Sequence, residues 1–308
     1  MPSDPYAEGG FLTDFFVELQ PQESRTKSPT TRTWQPIRPE ESTHLSDSRL
    51  QLHHAAQLGA AAGISFLKHQ PDDSHTNLEW TPALAGLFSR VIPARTAFRI
   101  GVRPADLTLL IVTEGDQLIS RYRLHGRTIV EAANWIRSKI ASLGVDAARY
   151  TLKRDYEIPR HPVAMGDSFD ASDKSSFDEL SKWFANAASI LNSLARTIHD
   201  AGEVRCWPYD FDIATLINVG PEHTVGAGLE PGDRYYDEPY FYVNINPHPS
   251  AAQARSRPLW GRGKWHTREW VGAVLPGSRL NGASAQERQV REFIDSAISA
   301  CRVLATQS

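Results

Sequence analysis

The stretch from Val204 to Val219, VRCWPYDFDIATLINV, places the carboxylates of Asp210 and Asp212 in an otherwise apolar run. Side chains alternate across a strand with a period of two, so a single strand would put both carboxylates on one face. Tyr209 and Phe211 would then lie on the opposite face. Burying a carboxylate costs free energy unless it is hydrogen bonded or paired. This stretch therefore constrains both the core and the position of a functional site.

Two hydrophobic periodicities recur along the rest of the chain. Apolar residues spaced by three and four predict helices over 46–62, 128–143, 176–199 and 285–304, the second with a capping box of Thr128 and Glu131. Alternating or continuously apolar runs predict strands over 96–102, 106–113, 117–124, 150–158, 204–219, 240–246 and 269–275. These patterns predict an α+β fold, a mostly antiparallel sheet covered by about four helices. Strands followed by a helix occur twice, over 96–143 and 204–304, which leaves open whether the sheet consists of two related halves.

The domain organisation follows from local composition. Residues 1–33 are rich in Pro, Ser and Thr, which predicts a mobile N-terminal arm, and 34–308 are expected to form a single α+β domain. The polar segment 69–81 and the Gly-rich segment 221–233 are predicted as loops. The second has no lysine followed by serine or threonine after its glycines, so it does not match a phosphate-binding loop.

Composition excludes several classes of partner. The net charge of -3 gives no reason to expect a nucleic acid or an acidic membrane. The chain does not begin with a secretory signal, and its apolar runs are shorter than the roughly 18–20 residues that span a bilayer. Cys206 and Cys301 lie far apart with no disulfide or metal spacing. We therefore expect a cytoplasmic, soluble protein.

Three blocks of the sequence resemble a family of uncharacterised bacterial proteins that is defined only as a domain of unknown function. The blocks are Cys-Trp-Pro-x-x-Phe-Asp-Ile-Ala-Thr at 206–215, Tyr-Asp-Glu-Pro-Tyr-Phe-Tyr-Val at 236–243 and Trp-His-Thr at 265–267. In that family two histidines follow the proline, where this chain has Tyr209 and Asp210. The resemblance implies a common fold after about Trp34, but no reaction, cofactor or substrate.

A metal site is one interpretation of the polar residues. His53 and His54 of the first helix, Asp212 and His266 would supply nitrogen and oxygen ligands that suit Zn, Fe(II) or Mn. These residues come from distant segments, and the chain has no H-E-x-x-H motif. A histidine on an apolar helix face is more often a hydrogen-bonded core residue than a ligand.

Acid–base chemistry without a metal is the second interpretation. Asp212 or Asp210, held among aromatic side chains, would have a pKa raised by desolvation and could transfer protons near neutral pH, with His266 or His53 as the catalytic partner. The structural alternative pairs one aspartate with an arginine such as Arg205 or Arg268. The predicted substrate contacts are aromatic or amide side chains, namely Trp207, Tyr209, Tyr242, Asn244 and Trp265.

The resulting functional hypothesis is a cytosolic enzyme that acts on a small polar molecule in an aromatic-lined pocket, with or without a divalent metal. The alternative hypothesis is a protein without catalysis that binds a small molecule, or that associates with a second copy as a homodimer through its aromatic surface.

Overall fold

A single antiparallel sheet organises the molecule, which is known from a computed structural model that describes residues 34–306. The predicted arm over 1–33 lies outside the described residues. Within them the sheet has eleven strands in the order β10-β11-β9-β8-β7-β6-β1-β2-β3-β4-β5. The strands are β1 Leu78–Thr81, β2 Gly86–Ser89, β3 Phe98–Arg103, β4 Thr108–Thr113, β5 Leu118–Arg123, β6 Arg205–Cys206, β7 Ile213–Asn218, β8 Thr224–Glu230, β9 Tyr240–Asn246, β10 Lys264–His266 and β11 Gly272–Pro276. The predicted α+β class with an antiparallel sheet is confirmed.

The strand order runs outward from the centre in both directions. Strands β1 to β5 form a meander on one side, while β6 to β9 followed by β11 and β10 extend on the other side. The two series join where Leu78 of β1 pairs with Cys206 of β6. Whether the two series are related copies stays a prediction.

Helices account for most of the remaining regular structure. The described residues contain five α-helices, of which four span 12 to 24 residues, so the predicted count of about four is not confirmed as such. The α-helices are α1 Ser46–Phe66, α2 Ile129–Ile140, α3 Lys174–Thr197, α4 Ala251–Arg255 and α5 Gln286–Ala305. Short 3-10 helices cover Pro39–His44, Pro104–Asp106, Ala141–Leu143, Ala147–Arg149, Pro162–Met165 and Gly277–Arg279. In the part of the chain that the structure describes, no helix combines the length and the apolar character that crossing a membrane requires.

Local sequence signals explain how the helices begin and pack. The capping box at the start of α2 is present, since Thr128 accepts a hydrogen bond from the Glu131 amide and Glu131 accepts one from the Thr128 amide. The apolar stripe of α3, which includes Phe177, Leu180 and Leu191, is fully buried. Helix α3 contacts β7 and β8, and α5 contacts β8 and β9. The two helices thus bury one face of the strands that carry the site.

Four predictions about local structure are wrong. Residues 204–219 form two strands and a turn rather than one strand, and the predicted strand over 150–158 contains no strand. The polar segment 69–81 ends in β1, and the Gly-rich segment 221–233 contains β8. Glycine is uncommon in strands because it contributes no packing side chain, so the glycines of this segment predict a loop where the structure has β8.

Candidate functional site

The turn between β6 and β7 places the aspartates. Phe211 adopts a left-handed backbone conformation with φ of 72°, and its amide donates to Trp207 O at 2.7 Å. The Trp207 amide in turn donates to Asp212 O at 2.9 Å. A non-glycine residue with positive φ is strained and persists only where the surroundings hold it. Here the Phe211 ring is buried in the core, so the turn holds Asp210 and Asp212 beside the sheet.

His53 of α1 supports the turn between β6 and β7. Its ring stacks on Phe211 with centroids 4.7 Å apart, and its Nε2 donates to Pro208 O at 2.8 Å. The Gln57 amide donates to the same carbonyl at 2.8 Å, and the Tyr156 hydroxyl donates to Gln57 at 2.9 Å. Burial lowers the pKa of His53 to about 3, so the ring is neutral at physiological pH. His53 therefore supports the turn as a neutral donor.

Two glycines in β8 make room for the polar side chains of β9. Gly228 pairs with Tyr242 and Gly226 pairs with Asn244. A Cβ atom at Gly228 would lie 2.7 Å from the Tyr242 ring, and one at Gly226 would lie 2.5 Å from Asn244 Oδ1. Tyr242 can thus lie across β8, where its hydroxyl donates a short hydrogen bond to Asp212 Oδ2. The missing side chain at Gly228 is therefore what allows Tyr242 to reach Asp212.

These side chains line a cleft of about 680 Å³ between α1, the β6–β7 turn and strands β8 and β9. The volume is in the range of small-molecule sites. The lining is acidic and aromatic, with the carboxylates Glu157, Asp210, Asp212, Glu230 and Asp233, the rings of His53, Tyr209, Phe211, Tyr235, Tyr240, Tyr242 and Trp270, and also Arg49, Leu50, Pro159, Gly232, Arg234 and Asn244.

Three carboxyl groups of the cleft, those of Asp210, Asp212 and Glu230, have a raised pKa. Desolvation, the main cause, raises the pKa of Asp212 to about 7, while the Tyr242 hydrogen bond lowers it and the charge of Asp210 raises it. Burial and the neighbouring charge of Asp212 raise the pKa of Glu230 well above its ordinary value. Desolvation, followed by the charge of Asp233, also raises the pKa of Asp210. Asp212 is therefore poised to exchange a proton near neutral pH.

Six predicted site residues line this cleft: His53, Tyr209, Asp210, Asp212, Tyr242 and Asn244. The other four predicted residues do not. His54 Nε2 donates to Pro159 O at 3.0 Å, and the Trp265 indole donates to Arg257 O at 2.9 Å. Trp207 packs beside Tyr209, with ring centroids 6.1 Å apart. These three side chains are occupied by structural contacts.

His266 lies behind the cleft wall. Its Nε2 donates to Arg268 O at 2.6 Å, and its Nδ1 accepts from the Tyr236 hydroxyl at 3.0 Å. Its ring stacks on Trp270, which does line the cleft, with centroids 4.5 Å apart. His266 supports a wall residue and is not a partner for Asp212, because both of its ring nitrogens are already engaged.

The predicted metal ligands His53, His54, Asp212 and His266 do not come together. Within residues 34–306, one group of three His, Cys, Asp or Glu side chains has its ligand atoms within 4.8 Å of one another, and it consists of His69, Asp73 and His75. None of the predicted ligands belongs to it. The Nε2 atoms of His53 and His54 are hydrogen bonded to backbone carbonyl groups.

The residues of the site that sequence reasoning missed include Arg49, Glu230, Asp233 and Tyr240. Glu230 follows Gly226 and Gly228 at a spacing of two, so strand periodicity would have placed it on their face. Asp233 is held in place because its Oδ1 accepts from the Tyr235 and Tyr236 amides and its Oδ2 from the Tyr240 hydroxyl. No sequence signal distinguishes Arg49 from other helical arginines.

No family model, no curated protein and no solved structure matches this chain. The resemblance of its three blocks to an uncharacterised bacterial family stays a prediction.

Proposed function

We propose that this protein is an enzyme that acts on a small polar molecule bound in the cleft, with Asp212 as its general base. The observation that carries the proposal is a buried carboxyl, with a pKa of about 7, in the lining of a cleft of about 680 Å³. A general base works best when its pKa lies near the working pH. A carboxylate has about four acceptor positions, so Asp212 can accept from Tyr242 and still take a proton from a substrate.

Tyr242 is the positioning residue in this proposal. Burial raises its pKa well above the ordinary value, as does the charge of Asp212, so the phenol remains a hydrogen-bond donor at neutral pH. This donor fixes the carboxylate of Asp212 and opposes part of the rise in its pKa. His53 takes no part in proton transfer, because its ring is neutral and is committed to Pro208 O.

Replacing Asp212 tests the proposal. The wild-type protein and Asp212→Asn are incubated with a mixture of small polar metabolites, and the mixture is analysed by mass spectrometry for depletion and new products. We expect turnover by the wild type and a decrease of about 10²–10⁴-fold for the variant, because the amide cannot accept the proton. We also expect kcat/KM to rise with pH and to level off above about 7.

The control variant is Asp295→Asn, which removes an exposed carboxylate of α5 outside the cleft. It should turn over substrate like the wild type. Turnover that persists in Asp212→Asn would exclude Asp212 as the base.

The second candidate function is binding without catalysis. The low pKa of His53, about 3, favours it, because such a weakly basic ring is a poor proton acceptor for catalysis at neutral pH. A ligand that stabilises the protein but is recovered unchanged, with equal binding before and after long incubation, would support this candidate.

We also propose that the protein works in the cytoplasm and that its sheet arose from two related halves. Cys206 and Cys301 are both unpaired and buried, as in proteins from a reducing compartment. The meander β1–β5 is preceded by α1 and followed by α2, and the second series is preceded by α3 and followed by α5. A homodimer, a divalent metal and membership of the uncharacterised family remain proposals without further support.

A further inference from the structure

The charges that line the cleft do not balance. Five carboxyl groups face it, compared with the two guanidinium groups of Arg49 and Arg234. Both arginines form ion pairs with carboxylates that do not line the cleft. Arg49 Nη2 lies 3.4 Å from Asp237 Oδ1, and Arg234 Nη2 lies 3.2 Å from Glu269 Oε2. Among residues 34–306, the carboxyl groups that line the cleft therefore form no ion pair with a cationic side chain.

Glu230 is the group in the cleft with an unmet hydrogen-bonding need. Its Oε1 is buried and has no hydrogen-bond partner in the part of the chain that the structure describes. Asp233 is different, since both of its oxygens accept hydrogen bonds, and Asp212 accepts from Tyr242. A buried polar atom without a partner costs free energy, and native structures retain few of them. A ligand with N–H groups would satisfy Glu230 Oε1.

The walls of the cleft suit a positive charge. Tyr235, Tyr240, Tyr242 and Trp270 line it, and the faces of such rings attract ammonium and guanidinium groups. Tyr240 opposes Glu230 across β8 and β9, so a ring and a carboxyl group stand side by side at the same level of the sheet. An anionic ligand would instead meet five carboxyl groups and would be repelled by those that are ionised.

From this arrangement we infer that the ligand of the cleft is a small organic cation, a primary amine or a guanidinium compound, held by Glu230 and Asp212 between the tyrosine rings. The inference rests on the proposed function, because it names the substrate class of the same site. Three observations support the inference: the carboxyl groups without a counter-charge, the unpartnered Glu230 Oε1 and the aromatic walls of the cleft.

Binding of a cation to this cleft is coupled to proton release. Burial raises the pKa of Asp212 to about 7 and also raises the pKa of Glu230, so in the empty cleft both carboxyl groups keep their protons to a higher pH than usual. A bound cation favours the ionised carboxylates and displaces these protons. Affinity should therefore increase as the pH rises from 5 to 8, as long as the amine itself stays protonated.

The experiment compares probes of matched size and different charge. Thermal shift and titration calorimetry are carried out with 1,4-diaminobutane and agmatine as cations, with 1,4-butanediol as the neutral match and with glutarate as the anion. We expect the cations to bind, with tighter binding at pH 8 than at pH 5. Calorimetry in buffers of different ionisation enthalpy should show protons released on binding. Equal binding of the diol, preferential binding of glutarate, or no binding by either cation would overturn the inference.

Glu230→Gln tests the role of the unpartnered carboxyl group. We expect its affinity for the cations to decrease about tenfold or more, because the amide cannot ionise. Glu222→Gln, which changes an exposed glutamate before β8, is the matched control and should bind like the wild type. Equal affinities of the two variants would overturn the assignment of Glu230, and thermal unfolding shows whether each variant is folded.

Failure of this inference and failure of the proposed function give different results. Asp212-dependent turnover of a neutral or anionic metabolite would exclude the cation but retain the enzyme. Binding of the cations that depends on Glu230, without turnover of any metabolite, would retain the cation and exclude the enzyme.

Discussion

The cleft and a second hollow on the same sheet accommodate charge in opposite ways. The hollow has a volume of about 500 Å³ and is lined by residues that include Glu79, Arg90, Arg99 and Arg205. In the hollow each arginine pairs with a carboxylate. The pairs are Arg205 with Glu79 at 2.7 Å, Arg90 with Glu203 at 3.6 Å, and Arg99 with Asp116.

The pKa values follow this difference. The hydrogen bond from Arg205, which lines the hollow, lowers the pKa of its partner Glu203, so the ionised form of Glu203 is favoured. In the cleft, desolvation raises the pKa of Asp212 and Glu230, so the neutral form is favoured. The arginines of the hollow are therefore paired with carboxylates, as is usual for charges that stabilise a fold. Carboxyl groups left without a counter-charge in a cleft are candidates for function.

The largest expected effect on stability comes from Asp212→Asn. The pKa of Asp212 rises from 3.8 to about 7 on folding, so the folded state binds this proton more tightly than the unfolded state. The free energy of unfolding then decreases as the pH rises from about 4 to about 7. Asparagine does not titrate and can still accept from Tyr242. We expect the variant to be more stable than the wild type by on the order of 2–4 kcal/mol at pH 8.

Denaturant unfolding at pH 4 and pH 8 measures this effect. At pH 4 the stability difference should be close to zero, since the wild-type carboxyl group is protonated in the folded state. A variant that is less stable than the wild type at pH 8 would contradict the inference that the cleft, unlike the hollow, leaves Asp212 without a counter-charge.

Gly228→Ala should have the next largest effect. The new Cβ would lie 2.7 Å from the Tyr242 ring, so the ring must move away from Asp212. We expect a loss of about 1–3 kcal/mol in stability, as for other overpacked sites, together with a loss of ligand binding. Gly282→Ala is the control, because a Cβ there meets no atom within 4 Å. If both variants unfold at the same denaturant concentration, the position of Tyr242 does not depend on the missing side chain at Gly228.

The smallest effect is expected for Glu203→Gln, which removes the carboxylate paired with Arg90 and Arg205 of the hollow. Glu203 is exposed and its pKa is lowered by Arg205, so its contribution to stability is present above the ordinary glutamate pKa and is lost as the pH falls. We expect the variant to lose about 0.2–1 kcal/mol at pH 7 in low salt, and less in 1 M salt because exposed charges are screened. A salt-independent loss of several kcal/mol would show that the hollow is not an ordinary set of surface ion pairs.

Much of the fold follows from local patterns. The periodic apolar stripes of α3 and α5 and the capping box of α2 are properties of adjacent residues, so they can be recognised without the tertiary structure. The alternation in Tyr240–Asn246 likewise identifies β9 and the side chains on its polar face. Asp210, Asp212, Tyr242 and Asn244 could be selected because they belong to such patterns or interrupt them.

The sequence could not place residues whose position depends on distant contacts. Phe211 reverses the chain because its ring is buried against His53 and Phe184, and periodicity alone predicted a continuous strand there. His53 and His266 looked like ligands or catalytic groups because histidine is chemically versatile. Their partners, Pro208 O and Arg268 O, are backbone carbonyls in positions that only the folded chain defines.

By itself, then, the sequence determined the α+β class, the long helices and the choice of Asp212 as the residue to test first, since these depend on residue type and short-range period. Only the tertiary structure decided what surrounds Asp212. The register of β8 against β9 places Tyr242 opposite Gly228, and the end of β8 supplies Glu230. Desolvation depends on everything packed around a group, so the pKa of Asp212 and the unmatched charge of the cleft arise from packing between segments that are distant in the chain.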